Sequence, residues 1–243
     1  MYLNIYKKVS YINKISRPFQ IFTLVDFLIN RLSNFFVPIF IILGVKPNTI
    51  TKINFFLGLI AIYFVSYSQN LFAYGVALFF CTILIDHIDG GVARYTKKKT
   101  FFGKFIDSLT DAVIFSVFYF SIALYFFQLS SDLLIFYLGI ISSFFILLEV
   151  LILDKFSSLV RWCNQENKLN YLPYIRKKYY LRIFLILRDI ILFLTFALIF
   201  LYHEIIYFYF ILIIIHCLWL VSSISNIALH LYFGKKQLDF NKK

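Results

Sequence analysis

The chain has 243 residues, of which 61% are hydrophobic and only 15% charged, and its formal net charge is +12. That balance lies far from the composition of water-soluble globular domains and excludes a soluble enzyme of one or two domains. Its three cysteines, Cys81, Cys163 and Cys217, are an odd number with no short spacing, so neither a disulfide framework nor a zinc site is indicated.

In chain order, the opening segment carries Lys7, Lys8, Lys14 and Arg17 without a continuous apolar run, so no cleaved signal peptide is expected. Residues 19–45 are apolar but interrupted by Asp26, Asn30, Arg31, Ser33 and Asn34. That mixture predicts a helix lying in the cytoplasmic membrane interface rather than a full span. A span over 25–45 would carry the basic N-terminus across the membrane, against its charge. Pro47-Asn48-Thr49 then breaks the chain and starts a new helix, with Asn48 or Thr49 as its cap.

Beyond this break, apolar runs of roughly 20 residues, enough to cross a bilayer, recur. They predict six spans, at about 49–68, 73–94, 101–127, 132–155, 180–202 and 205–232. The expected fold is an all-α integral membrane protein of six transmembrane helices preceded by an N-terminal interfacial amphipathic helix. A single membrane-embedded domain covers 1–243: an interfacial segment at 1–48, a six-helix bundle at 49–232 and a basic cytoplasmic tail at 233–243.

The basic residues set the orientation. The connections near 69–72, 128–131 and 203–204 contain no Lys or Arg. The alternate connections contain Lys97, Lys98 and Lys99, then Arg161, Lys168, Arg176, Lys177 and Lys178. By the positive-inside rule both termini and both basic loops are cytoplasmic. Anionic lipid headgroups are the natural partner of this surface, and no nucleic acid is required to explain it.

Four acidic residues fall inside apolar helices as two close pairs: Asp86 with Asp89, and Asp107 with Asp111. A carboxylate within the hydrocarbon costs several kcal/mol and normally faces a polar cavity with a partner. Asp86, Asp89, Gly90 and Ala93 follow i, i+3, i+4, i+7, and Gly103, Asp107 and Asp111 follow i, i+4, i+8. Each set is one stripe of a helix. A short basic loop makes the two helices antiparallel neighbours, so the four carboxylates converge. Such a cluster requires cations among its members, and hard oxygen donors suit two divalent ions, Mg²⁺ or Mn²⁺. Arg94 adds a forked cation suited to phosphate oxygens. The residues therefore point to metal-dependent handling of a phosphate at the cytoplasmic face.

The run from Asp86 through Asp89, Gly90, Ala93, Arg94, Gly103 and Asp107 to Asp111 matches every fixed position of D-x2-D-G-x2-A-R-x8-G-x3-D-x3-D. It resembles the signature of the CDP-alcohol phosphatidyltransferase family. The resemblance extends more loosely to the interfacial N-terminal helix, the Pro-Asn start of the first span and the six spans. It implies that Asp86, Asp89, Asp107 and Asp111 bind two divalent metals, and that Asp111 is also the general base for the acceptor hydroxyl. It implies that Gly90 and Arg94 contact the CDP donor, as do Thr100 and the Lys46–Thr49 segment with Pro47, Asn48 and Thr49. It also suggests a homodimer. The implied reaction is attack of an alcohol on the phosphorus distal to cytidine, with CMP leaving.

The acceptor is less legible. Ser108 and Ala112 stand where members making phosphatidylglycerol phosphate carry Pro and Lys, and Asp107-Ser108-Leu109-Thr110-Asp111 looks more like serine-transferring members. The Ser-Phe-Gly continuation of those members is replaced by Ile114-Phe115-Ser116. Lys155, Arg161, Arg182 and Arg188, at the cytoplasmic ends of later spans, could bind a phosphorylated acceptor or simply snorkel to headgroups. Glu149 and Asp154 could pair with these cations. His87 points about 100° away from Asp86 around its helix and reads as structural. Two alternatives stand beside a CDP-diacylglycerol donor. One is a soluble CDP-alcohol donor with a lipid hydroxyl acceptor; the other is a membrane cation transporter, which would leave the glycines and Arg94 unexplained.

Overall fold

The structure, a computed structural model, describes residues 1–16, 24–67, 69–98 and 100–167 and the single positions 221, 224, 225, 228 and 232. The described elements are helices: α1 (Tyr2–Ser16), α2 (Leu24–Ile42), α3 (Pro47–Tyr67), α4 (Gln69–Thr96), α5 (Phe101–Ser130) and α6 (Leu133–Asn167). Four stretches are long and apolar enough to cross a membrane: Pro47–Tyr67, Asn70–Thr96, Phe102–Ser130 and Leu133–Ile152. They correspond to the first four predicted spans. The predicted fifth and sixth spans and the basic tail lie outside the described residues, apart from the single positions above. The apolar part of α2, Phe27–Ile42, is shorter than a span.

Packing divides the chain into two compact units, Met1–Thr110 and Asp111–Lys243. The first unit is built on a core of Ile5 and Val9 from α1, Val37 from α2, Ile50 from α3, and Ile88 and Val92 from α4. The opening helix α1 was not anticipated from the sequence. It presents Ile5, Val9 and Asn13 inward at a spacing of four, and its Tyr2 hydroxyl donates to the Phe35 carbonyl at 2.6 Å.

Helix α2 differs from the interfacial expectation in the direction of its polar residues. Asn30 and Ser33 are buried, whereas Leu28, Leu32, Phe35 and Ile39 are exposed. Two of the interruptions, Asn30 and Ser33, thus point into the protein, while Arg31 is exposed together with the leucines. In an apolar solvent this arrangement is favourable, since lipid has no affinity for buried amides and protein partners do.

The turn from α2 to α3 is fixed by backbone hydrogen bonds. Gly44 has φ +68°, its N–H donates to the Ile41 carbonyl at 3.1 Å, and the Val45 N–H reaches back to Phe40 at 3.0 Å. This is a Schellman ending, with Val45 and Phe40 both packed against the core. Helix α3 starts at Pro47, and the Lys46 carbonyl accepts from Thr49 at 3.0 Å and Ile50 at 3.3 Å. Neither Asn48 nor Thr49 is therefore the cap. Proline takes the first helical position, where its missing N–H is not needed, and Asn48 is released for other contacts.

Along α3 the buried stripe is Ile50, Asn54, Gly58, Ala61 and Val65. The α3–α4 contact is tight at Gly75, where a Cβ would lie 2.8 Å from both the Ala61 carbonyl oxygen and the Val65 nitrogen. A second close approach joins α2 to α4: a Cβ on Gly91 would lie 2.6 Å from Val37 Cγ2.

Within the second unit, Ile122, Phe126, Ile135 and Ile146 are buried, and α5 meets α6 where Gly139 lies against Ala123 and the Phe136 ring touches Phe120 and Phe127. The Ser143 hydroxyl donates to the Ser116 carbonyl at 2.7 Å. Asp132 caps α6 by accepting from the Leu134 N–H at 2.7 Å. Helix α6 continues past the predicted span end at 155 to Asn167. Residues 156–167 contain neither Gly nor Pro, so nothing stops the helix at the membrane surface.

The glycines make contrasting predictions for thermal unfolding in detergent. Gly75→Ala drives Cβ into backbone atoms of α3 and is expected to cost about 1–3 kcal/mol. Gly44→Ala meets no atom within 4 Å and should lose only about 1–2 kcal/mol, from left-handed strain. Unchanged melting of Gly75→Ala would contradict the close α3–α4 contact.

Candidate active site

Asp86 and Asp89, three residues apart on α4, and Asp107 on α5 each place one carboxylate oxygen within 4.8 Å of the others. Asp89 is the most buried of the three, at 8% exposure. Two side chains steady the group. The Thr51 hydroxyl of α3 donates to Asp89 Oδ2 at 2.6 Å, and Lys104 Nζ reaches Asp107 Oδ2 at 3.0 Å. Asp111 stands one turn beyond Asp107 on α5, half-buried, as the first residue of the second unit. His87 is not one of the clustered ligands, but its ring stays beside them: Nδ1 lies 3.0 Å from the Ile83 carbonyl oxygen and 3.7 Å from Asp86 Oδ2.

Arg94 lies one turn beyond Gly90 on α4, and its guanidinium folds back along the helix. A Cβ on Gly90 would lie 3.2 Å from Arg94 Nη1 and 3.8 Å from Cζ. The bare backbone of Gly90 is thus the seat of the guanidinium. On the other side Arg94 Nε donates to Asn13 Oδ1 of α1 at 2.6 Å.

The loop between α4 and α5 is short and sharply turned. Lys97 ends α4 in the left-handed region at φ 56°. Thr100 caps α5, its hydroxyl oxygen accepting from the Gly103 N–H at 3.0 Å. A Cβ on Gly103 would lie 2.8 Å from Thr100 Oγ1 and 3.2 Å from Asn48 Oδ1. Gly103 therefore brings together Thr100 and Asn48, two of the residues singled out for the donor. Pro47 and Thr49 stand beside Asn48 in the first turn of α3.

The acceptor candidates are not assembled among the described residues. Lys155 is exposed on α6, and Arg161 lies on the same helix where only the backbone is described. Arg182 and Arg188 lie outside the described residues, as do the side chains of Glu149 and Asp154.

Three residues of this region were not singled out from the sequence: Thr51, Asn54 and Asn13. Thr51 and Asn54 are three apart on α3, and Asn54 buries an oxygen, Oδ1, that has no hydrogen-bond partner among the described residues. Their signal was the polar pair embedded in an otherwise apolar span.

The donor set fits a divalent cation. Three carboxylates converge against one directly paired ammonium, and carboxylates at such separations repel unless a cation joins them. Oxygen donors alone, with no thiolate or imidazole in the group, match Mg²⁺ or Mn²⁺.

The sequence model of the CDP-alcohol phosphatidyltransferase family matches residues 44–221. The chain is similar to a CDP-diacylglycerol–serine O-phosphatidyltransferase of Helicobacter pylori, 37% identical over 71 residues that make up 29% of each chain. It is also similar to an archaetidylinositol phosphate synthase of Pyrococcus horikoshii, 40% identical over 82 residues, which cover 34% of this chain and 43% of the relative. The chain thus matches less than half the length of these curated relatives.

The Thr51 contact yields a test by Mn²⁺ titration followed by electron paramagnetic resonance. Thr51→Val keeps the shape but removes the donor to Asp89. It is expected to weaken Mn²⁺ binding by about tenfold, in the range seen when a hydrogen bond orienting a metal ligand is lost. Equal binding by the variant would show that this hydrogen bond does not orient a ligand.

Proposed function

The chain belongs to the CDP-alcohol phosphatidyltransferase family, and from that premise we propose that it transfers a phosphatidyl group from CDP-diacylglycerol to a small polar alcohol, releasing CMP. The observation that carries this reading is the convergence of Asp86, Asp89 and Asp107 beside an Arg94 guanidinium seated on Gly90. The family uses divalent metals, and this convergence supplies carboxylates to hold them. The diacylglycerol donor is favoured by the Helicobacter relative, whose name specifies it. The two relatives carry different acceptors in their names yet align at similar identity. Similarity to them therefore does not choose the acceptor.

In the proposed mechanism Asp86, Asp89 and Asp107, with Asp111 as fourth ligand, hold two divalent cations. When bound, these ions offset the negative charge of the donor diphosphate and of the transition state. Arg94 binds diphosphate oxygens through its fork, and Gly90 leaves room for that approach. Asn48 and Thr100 line the nucleotide side at Gly103. Asp111 accepts the proton of the acceptor hydroxyl. The acceptor oxygen forms its bond to the phosphorus carrying the lipid, the bond from that phosphorus to the bridging oxygen breaks, and CMP leaves with the electron pair. The site opens on the cytoplasmic side with both termini, following the charge asymmetry. The outward-facing leucines of α2 lie in the lipid interface, and Lys155, Arg161 and Arg188 are candidates for a phosphorylated acceptor.

The test is CMP release by the purified protein in detergent with Mg²⁺ or Mn²⁺. CDP-diacylglycerol and CDP-ethanolamine serve as donors, and serine, inositol phosphate and glycerol phosphate as acceptors. CMP should appear with CDP-diacylglycerol and one of these alcohols and stop on chelation of the metal. Asp111→Asn should lower kcat by about a hundredfold or more, the usual contribution of a general base. Full activity of that variant would remove Asp111 as base; turnover with CDP-ethanolamine alone would overturn the donor.

A further inference from the structure

Arg94 belongs to the signature, but the side chain that holds it does not. Asn13 lies on α1 and Asn34 on α2, both before residue 44, where the family match begins. Asn13 is 93% removed from solvent, at 7% exposure, on the same inward stripe as Ile5 and Val9. Its Oδ1 accepts from Arg94 Nε at 2.6 Å, and its Nδ2 donates to Asn34 Oδ1. The direction of this relay is fixed by chemistry. A guanidinium nitrogen can only donate, so Asn13 must present its oxygen to Arg94 and its nitrogen to Asn34.

The support of α1 is itself rigid. Ile5 and Val9 pack with Val37 of α2 and Ile88 and Val92 of α4. Tyr2 donates to the Phe35 carbonyl, and Lys8 stands over the Tyr95 ring at 5.4 Å. The amide at Asn13 is thus carried near the end of a packed helix, one turn beyond Val9 on the same inward stripe.

An arginine near a helix end has four flexible side-chain torsions and loses much freedom when ordered. The bare Gly90 backbone beneath the guanidinium and the Asn13 oxygen at Nε both restrict Arg94. With Nε held, the plane of the fork is set and its Nη edge has a fixed direction. We infer that Asn13, oriented by Asn34, is a positioning residue for Arg94, so that the two N-terminal helices form part of the donor site. This rests on the donor-binding role of Arg94 proposed above.

The experiment measures CMP binding to the full-length protein in detergent with Mn²⁺ present, by equilibrium dialysis with labelled CMP, beside donor KM and kcat. Asn13→Ala is expected to weaken CMP binding and raise the donor KM by about tenfold, with kcat within about threefold, as suits loss of a hydrogen bond to a charged group. Asn13→Asp still accepts from Nε and should bind CMP within about threefold of the wild type, a rescue that a packing role would not give. Asn34→Ala should weaken binding in the same direction but less. Where Asn13→Ala does not yield folded protein, Asn34→Ala and Asn13→Asp carry the test by the same criteria. Wild-type CMP affinity in Asn13→Ala, or in Asn34→Ala where that variant carries the test, overturns the inference, as does a fall in kcat at unchanged KM. Arg94→Ala is the reference: if it binds CMP as well as the wild type, the donor-site role of Arg94 fails, and the inference with it. Loss of affinity in Arg94→Ala without loss in Asn13→Ala overturns the positioning role alone.

Discussion

The constraint on which the first unit depends is electrostatic: three carboxylates gathered at the end of apolar helices repel one another and have little water to screen them. Each neighbouring feature answers that problem. Thr51 donates to Asp89 from one side and Lys104 to Asp107 from another. Gly90 seats the Arg94 guanidinium on bare backbone, and Gly103 leaves space for Thr100 Oγ1 and Asn48 Oδ1. What these groups leave uncompensated is negative charge at oxygen donors, which is why the same cluster that would destabilise a bundle is suited to divalent ions and a diphosphate.

Helix ends, more than helix bodies, fix the geometry. The Schellman ending at Gly44 and the proline at the first position of α3 leave Asn48 free to reach Gly103. The left-handed Lys97 and the Thr100 cap turn α5 back beside α4 within a few residues, which brings Asp107 opposite Asp86 and Asp89. A longer loop would tolerate more registers. The small residues along α4, Gly75 and Gly91, then let α3 and α2 approach closely. Changing any of these turns would move carboxylates relative to one another without touching them.

The first four spans were legible because hydropathy over about 20 residues survives any detail of packing. The carboxylate stripes were legible because helical spacing alone puts Asp86 with Asp89 and Asp107 with Gly103. Other features were not. The polar residues of α2 are equally compatible with facing headgroups or facing protein, and periodicity reports a face without its direction; Asn30 and Ser33 turned out to face inward. The cap of α3 was misplaced by two or three residues because Asn and Thr are good caps in isolation, while proline at the first position shifts that place to Lys46. Thr51 and Asn13 were invisible because their partners lie 38 and 81 residues away and neither residue type announces a site. Helix α6 ran past its predicted end because leaving the membrane does not itself end a helix.

The same reasoning explains why a membrane enzyme would restrain its arginine so closely. At the rim of an apolar helix a long cationic side chain has a ready alternative, since it can extend outward to anionic headgroups. Those headgroups are phosphates too, and they are present at far higher local concentration than any nucleotide-linked donor. An untethered Arg94 would spend its fork on lipid. Folding the guanidinium back over Gly90 and fixing Nε at Asn13 holds the side chain along its own helix instead. Under the proposed donor role of Arg94, selectivity between two phosphates of similar chemistry would come from the direction in which the cation is held. That direction is set by an uncharged amide, which offers no attraction of its own to lipid.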